Sequence, residues 1–491
     1  MMTKISKHKL TAVFMACLLI AGMGVSLPAT MGAESPALTA KAEETGTYGD
    51  LTYEKYDDHI IITKCDKNAE TVEIPAEIDG LPVTSIGYRV FGGYTSLESV
   101  TIPNSVTSIE AYAFFGCTSL TSVTIPDSVT TMGWGVFSEC TSLKSITIPD
   151  SVTSIGGDAF SGTLWLAEKQ KENPFVIVNN ILIDGRTCSE TVIIPESVAV
   201  IGEDAFRGCD SLTSVTIPNS VTTIGEEAFD GCTSLTSVTI PDSVITIEGG
   251  AFNGCTSLTS VTIPDSVTTI EGGAFDGCTS LTSVTIPDSV TTIGDNAFFK
   301  CTSLTSVTIS DNVTTIGGSA FAECTSLTSV NIPNKVTTIK GCTFAGCTSL
   351  TSVNIPNSVT EIYHAAFCEC TNLSFVTIPN SVTQIGYIAF DECVSLTDVY
   401  YSGTEEQWNA IEIVSDGSNF SGNDALLNAT IHFNSTPPQE EQLEVSVSSL
   451  IELNKALRTK RGAPLKYDLN GDKIINVIDL ALLKRQLLGN Q

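Results

Sequence analysis

The residues best suited to chemistry lie near the C-terminus, where oxygen-bearing side chains follow the spacing of a calcium-binding loop. Side-chain oxygens occupy loop positions 1, 3, 5, 9 and 12 and position 7 supplies a backbone carbonyl, which is a ligand set that Ca²⁺ prefers. The six ligands are Asp468, Asn470, Asp472, Ile474 (through its carbonyl), Asn476 and Asp479. Position 6 is Lys473 where glycine is usual, so a residue with a Cβ must adopt positive φ at a cost of about 1 kcal/mol. We expect one calcium site here.

Two apolar helices must position this loop. Residues 447–457 align with residues 477–487 at an offset of 30, which indicates an internal duplication with one helix in each half. Residues 443–491 resemble a type I dockerin, and residues 436–442 form a linker before it. The first half has lost the Asp and Asn residues of its loop. The resemblance therefore implies one calcium ion and not two.

The dockerin resemblance also implies a partner, the cohesin domain of a scaffoldin in a cellulosome-like complex. The recognition positions of that family map onto Val477, Ile478, Lys484 and Arg485 in the second half, and onto Val447 and Ser448 in the first. Such a contact would hold the protein at the cell surface through the scaffoldin. The alternative is a calcium-stabilised helical cap without a partner.

Cysteine is the second residue type with a chemically suggestive pattern. Eleven of the 16 cysteines follow a spacing of 23 residues or a multiple of it: Cys117, Cys140, Cys209, Cys232, Cys255, Cys278, Cys301, Cys324, Cys347, Cys370 and Cys393. Stacked coils would place neighbouring thiols about 5 Å apart with their Cβ atoms parallel. We favour buried free thiols that act as small apolar residues over disulfides. Zinc on this ladder is less favoured, because regular His or acidic partners are absent. A separate candidate set, His364 with Cys342 and Cys368, lacks a fourth ligand.

The 23-residue period predicts the fold. In one unit Val261 and Ile263 alternate with Thr as in a half-buried strand, Pro264 ends that strand, and Ile270 lies in a second β-like segment. A unit this short cannot bury its apolar face alone, so the coils must stack. The L-x-x-V-x-I-P, V-x-x-I-G and A-F-x-x-C elements resemble the BspA-type leucine-rich repeat. That resemblance implies a mainly β leucine-rich repeat solenoid of about thirteen 23-residue coils over residues 43–435. The dockerin resemblance adds a small α-helical, calcium-loop domain after it.

Departures from the repeat are candidates for ligand contact. The two positions before Ala-Phe carry aromatic side chains in early and late coils: Tyr88, Tyr112, Trp134, Tyr363 and Tyr387. These rings could stack on sugars or anchor a partner protein, or they are relaxed coil ends. Residues 162–191 replace one coil with a short helix and an Asn-Asn hairpin, either as a contact site or as a structural splice.

Two further columns have simpler interpretations. The residue after the repeat proline is Asp or Asn in successive coils, which is typical of turns, with weak Ca²⁺ binding as the alternative. The Thr and Ser positions of the first strand predict only a solvated sheet face.

Composition sets the compartment and excludes some partners. Lys and Arg total 24 against 55 Asp and Glu, a net charge of −31, which excludes a nucleic-acid binder. Residues 1–42 have the basic, apolar, small-residue order of a secretory signal, with cleavage between 33 and 42, so we expect a secreted, extracellular protein. No later apolar run reaches about 18 residues, which predicts no transmembrane segment after signal removal.

The sequence contains no recognisable catalytic constellation. The histidines are far apart in the repeat geometry, and neither a nucleophile elbow nor a phosphate loop is present. We therefore predict a secreted, non-catalytic binding or adhesion module for a host or plant-wall glycan or protein, tethered through the dockerin to a scaffoldin. The alternative is a carbohydrate-active enzyme component of such a complex, acting in polysaccharide degradation, because most dockerin-bearing chains carry glycoside hydrolases.

Overall fold

Alternation of buried Val and Ile with exposed Ser and Thr builds two stacks of short parallel strands. The computed structural model describes residue 42, residues 44–415 and residues 422–436. Within each coil a first strand, a turn, a second strand and a compact Ala-Phe turn follow one another. Equivalent residues of the regular coils pair at an offset of 23, as Val215, Val238 and Val261 do. The offset is larger at the two ends, where Thr71 pairs with Ser99 and Asp398 with Thr430.

The first strands form the surface that we call sheet 1. Its strands are Thr71–Glu73, Ser99–Thr101, Ser122–Thr124, Ser145–Thr147, Thr191–Ile193, Ser214–Thr216, Ser237–Thr239, Ser260–Thr262, Ser283–Ile286, Ser306–Ile309, Ser329–Val330, Ser352–Asn354, Phe375–Ile378, Asp398–Tyr401 and Thr430–Phe433. These fifteen strands mark about fifteen turns, so the expected thirteen is too low. The last two turns were missed because neither carries a phenylalanine on the period.

The second strands form sheet 2. Its strands are Leu81–Ile86, Ser108–Ile109, Thr131–Met132, Ser154–Ile155, Ile181–Asp184, Val200–Ile201, Thr223–Ile224, Thr246–Ile247, Thr269–Ile270, Thr292–Ile293, Thr315–Ile316, Thr338–Ile339, Glu361–Ile362, Gln384–Ile385 and Glu412–Ile413. Antiparallel strands Glu44–Tyr48, Leu51–Lys55 and Ile60–Cys65 cover its N-terminal end. Glu77–Ile78 pairs with its first strand. Short helices Glu405–Asn409 and Asp424–Asn428 lie in the last turns.

The interruption contains the helix and hairpin that the sequence predicts. The helix is Leu164–Glu172, and the Thr163 hydroxyl caps it by accepting the Leu166 amide at 3.1 Å. Val176–Val178 then pairs antiparallel with Ile181–Asp184. Asn179 and Asn180 have φ of 47° and 67°, which is the backbone that a two-residue hairpin turn requires. The second hairpin strand continues sheet 2, so stacking resumes immediately.

The core is a column of side chains that repeats in every coil. The phenylalanine rings of successive coils stack nearly parallel, with centroids 5.0 Å apart for Phe206 and Phe229 and 5.4 Å for Phe275 and Phe298. The cysteines on the period lie beside them as free thiols, and ten of the eleven donate to the carbonyl of the phenylalanine 26 residues earlier. Burial raises the pKa of the Cys255 thiol to about 12. This is the apolar packing role that we favoured.

Each coil also uses left-handed backbone twice. The residue before the cysteine is glycine in several coils, such as Gly231 with φ of 68°, but Lys300 and Glu323 adopt the same conformation. The second left-handed position lies two residues before the phenylalanine, where Tyr112 and Ile388 have φ of 58° and 51°. A side chain in this region costs about 1–2 kcal/mol, so these positions are held by the hydrogen bonds between coils.

Candidate functional site

The early aromatic residues form one row along the outer edge of the coils. The ring of Tyr88, 62% exposed, meets that of Tyr112 edge to face at 6.0 Å, and Tyr112 meets Trp134 at 5.0 Å. The Arg89 guanidinium lies 5.9 Å from the Tyr112 ring centroid. The structure therefore brings together three of the five predicted aromatic contacts, one from each of three consecutive coils.

The aromatic row ends in a cavity beside the interruption, which we call the edge cavity. Its volume is about 160 Å³, and it is lined by Tyr112, Trp134, Glu203, Asp204, Arg207, Glu226 and Glu227. The indole nitrogen of Trp134 donates to Asp204 at 3.1 Å, and the Gly157 amide donates to Glu203 at 2.9 Å. A Cβ at Gly157 would overlap both Asp204 and the Trp134 nitrogen. Glycine is therefore needed at this position for the two coils to meet.

The edge cavity carries more negative than positive charge. Arg207 contacts Asp204 at 3.2 Å and Glu227 at 3.0 Å, but no other cation lines the cavity. Burial raises the pKa of Glu226 to about 7, and repulsion from Glu203 and Glu227 adds to the shift. Chemically, the cavity offers two aromatic rings and several carboxyl groups, one of which can be protonated at neutral pH.

An ion-pair network joins the coils on either side of the interruption. Arg186 contacts Asp184 at 2.6 Å and Asp158 at 2.8 Å. The side chain of Asp184 is 1% exposed and also accepts the Gln170 amide at 3.0 Å. These contacts favour the structural-splice interpretation for this part of residues 162–191.

The late aromatic residues are placed differently. Tyr363 is 39% exposed, whereas Tyr387 packs against a small apolar cluster that contains Cys342, Cys368 and Ile388. Within residues 44–415 and 422–436, no group of three or more His, Cys, Asp or Glu side chains is arranged to hold a metal ion. The three-ligand candidate on His364 and the calcium alternative for the turn aspartates thus gain no support from the geometry.

A second site, which the sequence reasoning missed, lies on sheet 1 near its C-terminal end. This C-terminal groove has a volume of about 500 Å³, and its lining includes Asn334, Asn354, Asn357, Phe375, Tyr400 and Ser402. Phe375 meets Tyr400 edge to face at 5.8 Å, and Tyr400 stacks on His432 at 4.7 Å. The prediction of a merely solvated Thr/Ser face is therefore wrong for these turns. The signal was present, because aromatic residues replace the Ser and Thr of the middle coils.

The predicted calcium and cohesin residues lie outside the described residues. These are the ligands Asp468, Asn470, Asp472, Ile474, Asn476 and Asp479, and the recognition positions Val447, Ser448, Val477, Ile478, Lys484 and Arg485. Nearly all of the signal segment, residues 1–42, also falls outside. Those expectations remain predictions.

Comparison with known proteins identifies the family of the solenoid. Residues 64–181, 184–305 and 291–410 match the BspA type leucine rich repeat region, in six copies. The chain belongs to the BspA-type leucine-rich repeat family. Leucine-rich repeat proteins of this surface and adhesion-like kind are typically non-catalytic binding proteins. The match ends at residue 410 and does not bear on the dockerin resemblance. No curated protein matches this chain.

Several bacterial structures are similar to this BspA-type chain. A leucine rich cell surface protein from Faecalibacterium prausnitzii is 33% identical, covering 76% of this chain and 99% of its own, with a TM-score of 0.36. A leucine-rich repeat protein from Bacteroides ovatus is 26% identical, with coverages of 79% and 99% and a TM-score of 0.34. One from Eubacterium ventriosum is 23% identical, with coverages of 71% and 95% and a TM-score of 0.42. In the described part of this chain, no helix is long and apolar enough to cross a membrane.

Proposed function

We propose that this protein is a secreted, non-catalytic binding module that presents its solenoid to a host or plant-wall glycan or protein, tethered by its C-terminal segment to a cohesin-bearing scaffoldin. The observation that carries the binding role is the aromatic row of Tyr88, Tyr112 and Trp134, which is exposed at Tyr88, half-buried at the other two rings, and leads into the edge cavity. Aromatic side chains in such a row provide large contact areas at little conformational cost. The basic, apolar, small-residue order of residues 1–42 supports export.

The tether rests on the oxygen-ligand spacing of residues 468–479 and on the duplicated helices. Capture by immobilised cohesin domains tests it directly. We expect the secreted chain to bind one cohesin type with Ca²⁺ and to be released by a chelator. The variant Asp472→Ala should abolish capture, whereas the matched change Asp265→Ala, in an exposed turn of the solenoid, should leave capture intact. Calcium-independent capture, or none by any cohesin type, would refute the tether.

The binding role is tested separately on the edge. The wild-type chain is first screened against a panel of plant-wall polysaccharides and host surface proteins to find the ligand that it binds. The variants Tyr88→Ala and Trp134→Ala should each lower the affinity for that ligand. Phe299→Ala removes a half-buried aromatic ring from a distant coil and is the control for general loss of aromatic area. Binding that neither Tyr88→Ala nor Trp134→Ala affects would locate the ligand elsewhere.

One observation favours the enzymatic alternative. Glycoside hydrolysis needs two carboxyl groups, one of them protonated near neutral pH, and a cleft that holds a sugar ring. The edge cavity combines Glu226, with its pKa of about 7, with the rings of Tyr112 and Trp134. Release of reducing sugar from a plant polysaccharide, lost in Glu226→Gln and kept in Glu271→Gln at an exposed position outside the cavity, would establish the enzyme and replace the non-catalytic proposal.

A further inference from the structure

The C-terminal groove runs across successive turns of sheet 1. Its lining extends from Asn334, in the turn that follows strand Ser329–Val330, to Ser435, which follows strand Thr430–Phe433. Five consecutive turns contribute, and at about 4.8 Å per turn four steps give a length on the order of 19 Å. The volume of about 500 Å³ is that of an ordinary ligand site, and a length on the order of 19 Å lets the groove contact several linked units of a chain ligand.

The lining of the groove is uncharged. None of its lining residues is Asp, Glu, Lys or Arg, although the chain as a whole carries a net charge of −31. The residue after the repeat proline illustrates the change. It is acidic in the middle coils, at Asp242, Asp265, Asp288 and, after Ser310, Asp311, and it becomes an amide in the late coils, at Asn334, Asn357 and Asn380. A groove lined by amides, hydroxyls and aromatic rings supplies no charged partner to an ionic ligand and favours a ligand that offers hydroxyl groups.

The aromatic rings of the groove are not required by the fold. The positions equivalent to Phe375 in strands from Ser214–Thr216 to Ser352–Asn354 are all serine, and those equivalent to Tyr400 are threonine or asparagine. Those coils stack in the same register without an aromatic side chain on this face. The rings therefore add an apolar surface that the packing of the solenoid does not need.

The tyrosine ring is also held in place. The His432 ring stacks on Tyr400 at an interplanar angle of 12°, and its Nε2 lies 2.7 Å from the Asp398 carboxylate. This hydrogen bond lowers the pKa of Asp398. A ring fixed before binding loses little conformational entropy when a ligand covers it, so the pair acts to position Tyr400.

From these observations we infer that the C-terminal groove binds a segment of a neutral polysaccharide. Sugar C–H faces pack on the Phe375 and Tyr400 rings, and sugar hydroxyls exchange hydrogen bonds with the amides of Asn354 and Asn357 and the hydroxyl of Ser402. This inference rests on the proposed binding function and names both its ligand class and its surface. It is independent of the aromatic row at residues 88–134.

The test uses the full secreted chain and variants that restore the residues of the middle coils. Affinities for cellohexaose, xylohexaose and mannohexaose are measured by calorimetry, with a polygalacturonate oligomer as the charged comparison. The variants Tyr400→Thr and Phe375→Ser should each weaken binding of the preferred neutral hexasaccharide by about tenfold or more. Asn357→Asp should weaken it as well, because it restores a carboxylate. Tyr48→Ala, which removes an exposed ring from the first N-terminal strand, is the matched control and should bind as the wild type does.

Each outcome decides one claim. Binding of a neutral hexasaccharide that falls in the groove variants and not in Tyr48→Ala supports the inference. Hexasaccharide binding that the groove variants leave unchanged, or equal binding of polygalacturonate, overturns it. A protein ligand in place of any saccharide also overturns it but leaves the proposed binding function standing. Failure to bind any saccharide, any surface protein or any cohesin would overturn the proposed function itself.

Discussion

Removing the Arg186 guanidinium should loosen the joint between the coils before and after the interruption. Arg186 donates from Nε to Asp184 at 2.7 Å and from Nη1 to Asp158 at 2.8 Å. Asp158 belongs to the last coil before the helix Leu164–Glu172, and Asp184 to the first strand pair after it. The arginine therefore connects two parts of the stack that the backbone joins only through the interruption.

The magnitude follows from the burial of Asp184. In Arg186→Ala this carboxylate, 1% exposed, keeps only the Gln170 amide and the Arg186 backbone amide as donors. Removing one partner of a buried ion pair costs about 3–5 kcal/mol. The two remaining donors and the 28% exposure of the arginine favour the lower end, about 3 kcal/mol.

The loss of stability in Arg186→Ala should be confined to the coils next to the interruption, because a repeat protein of this length need not unfold in one step. Hydrogen exchange measures local opening, and about 3 kcal/mol corresponds to roughly 100-fold faster exchange of amides in strands Ser154–Ile155 and Ile181–Asp184. Strand Thr292–Ile293, far along the stack, should exchange as in the wild type.

Two variants sharpen the test. Lys171→Ala removes an exposed ion pair from the same interruption and should change exchange less than about twofold. Asp184→Asn added to Arg186→Ala removes the unpaired charge and should restore much of the protection. Exchange in Arg186→Ala that equals the wild type, or that the second change does not restore, would refute the reasoning.

Three further predictions concern charge, backbone and thiols. Because the pKa of Glu226 is raised to about 7, the folded protein favours the protonated carboxyl group. The stability that this group contributes is present below about pH 4.5 and is lost as the pH rises through 7. Glu226→Gln should therefore raise the unfolding midpoint at pH 8 and hardly change it at pH 4. The matched Glu227→Gln, which removes a partner of Arg207, should not raise it. In a denaturant titration, Gly231→Ala should lower the free energy of unfolding by about 1 kcal/mol, because alanine must adopt the φ of 68° while its added Cβ meets only ordinary contacts. A loss above about 3 kcal/mol would indicate a steric clash instead. In the native secreted chain a thiol reagent should react rapidly with Cys188 and Cys209 only, and rapid reaction of more than two thiols would contradict the buried ladder.

The period of 23 residues predicted the fold well because one physical fact sets it. Parallel strands that stack in register pair residues at a constant offset, so Val215 meets Val238, and that offset is visible in the sequence as the spacing of Val, Phe and Cys. The hairpin at Asn179-Asn180 was equally predictable, since that turn needs residues that tolerate positive φ. The turns at Asp398–Tyr401 and Thr430–Phe433 lacked the marker phenylalanine, so the count of coils came out low.

The edge cavity could be predicted only in part. The spacing of Tyr88, Tyr112 and Trp134 placed three rings on one edge, but the carboxyl wall comes from Glu203 and Asp204, about 70 positions after the tryptophan. These residues meet because the interruption leaves the stack and the chain resumes stacking on the coil of Gly157. The local sequence pattern does not determine on which coil the chain resumes stacking after the interruption. The raised pKa of Glu226 follows from that burial and was equally hidden from the sequence.

The C-terminal groove shows where a repeat protein carries information about its ligand. In every coil the buried Val, Ile, Leu, Phe and Cys already satisfy the packing, so solvent-facing columns can vary at little cost in stability. A change in such a column, like serine to Phe375 or threonine to Tyr400, therefore reflects contact with something outside the solenoid. Restoring the repeat residue should then leave stability nearly unchanged. Phe375→Ser and Tyr400→Thr should each lower the free energy of unfolding by no more than about 1 kcal/mol, whereas Phe275→Ala, which removes a fully buried ring, should lower it by about 3–5 kcal/mol. A larger loss in the two groove variants would mean that the rings stabilise the last turns, and the separation of packing from binding would fail.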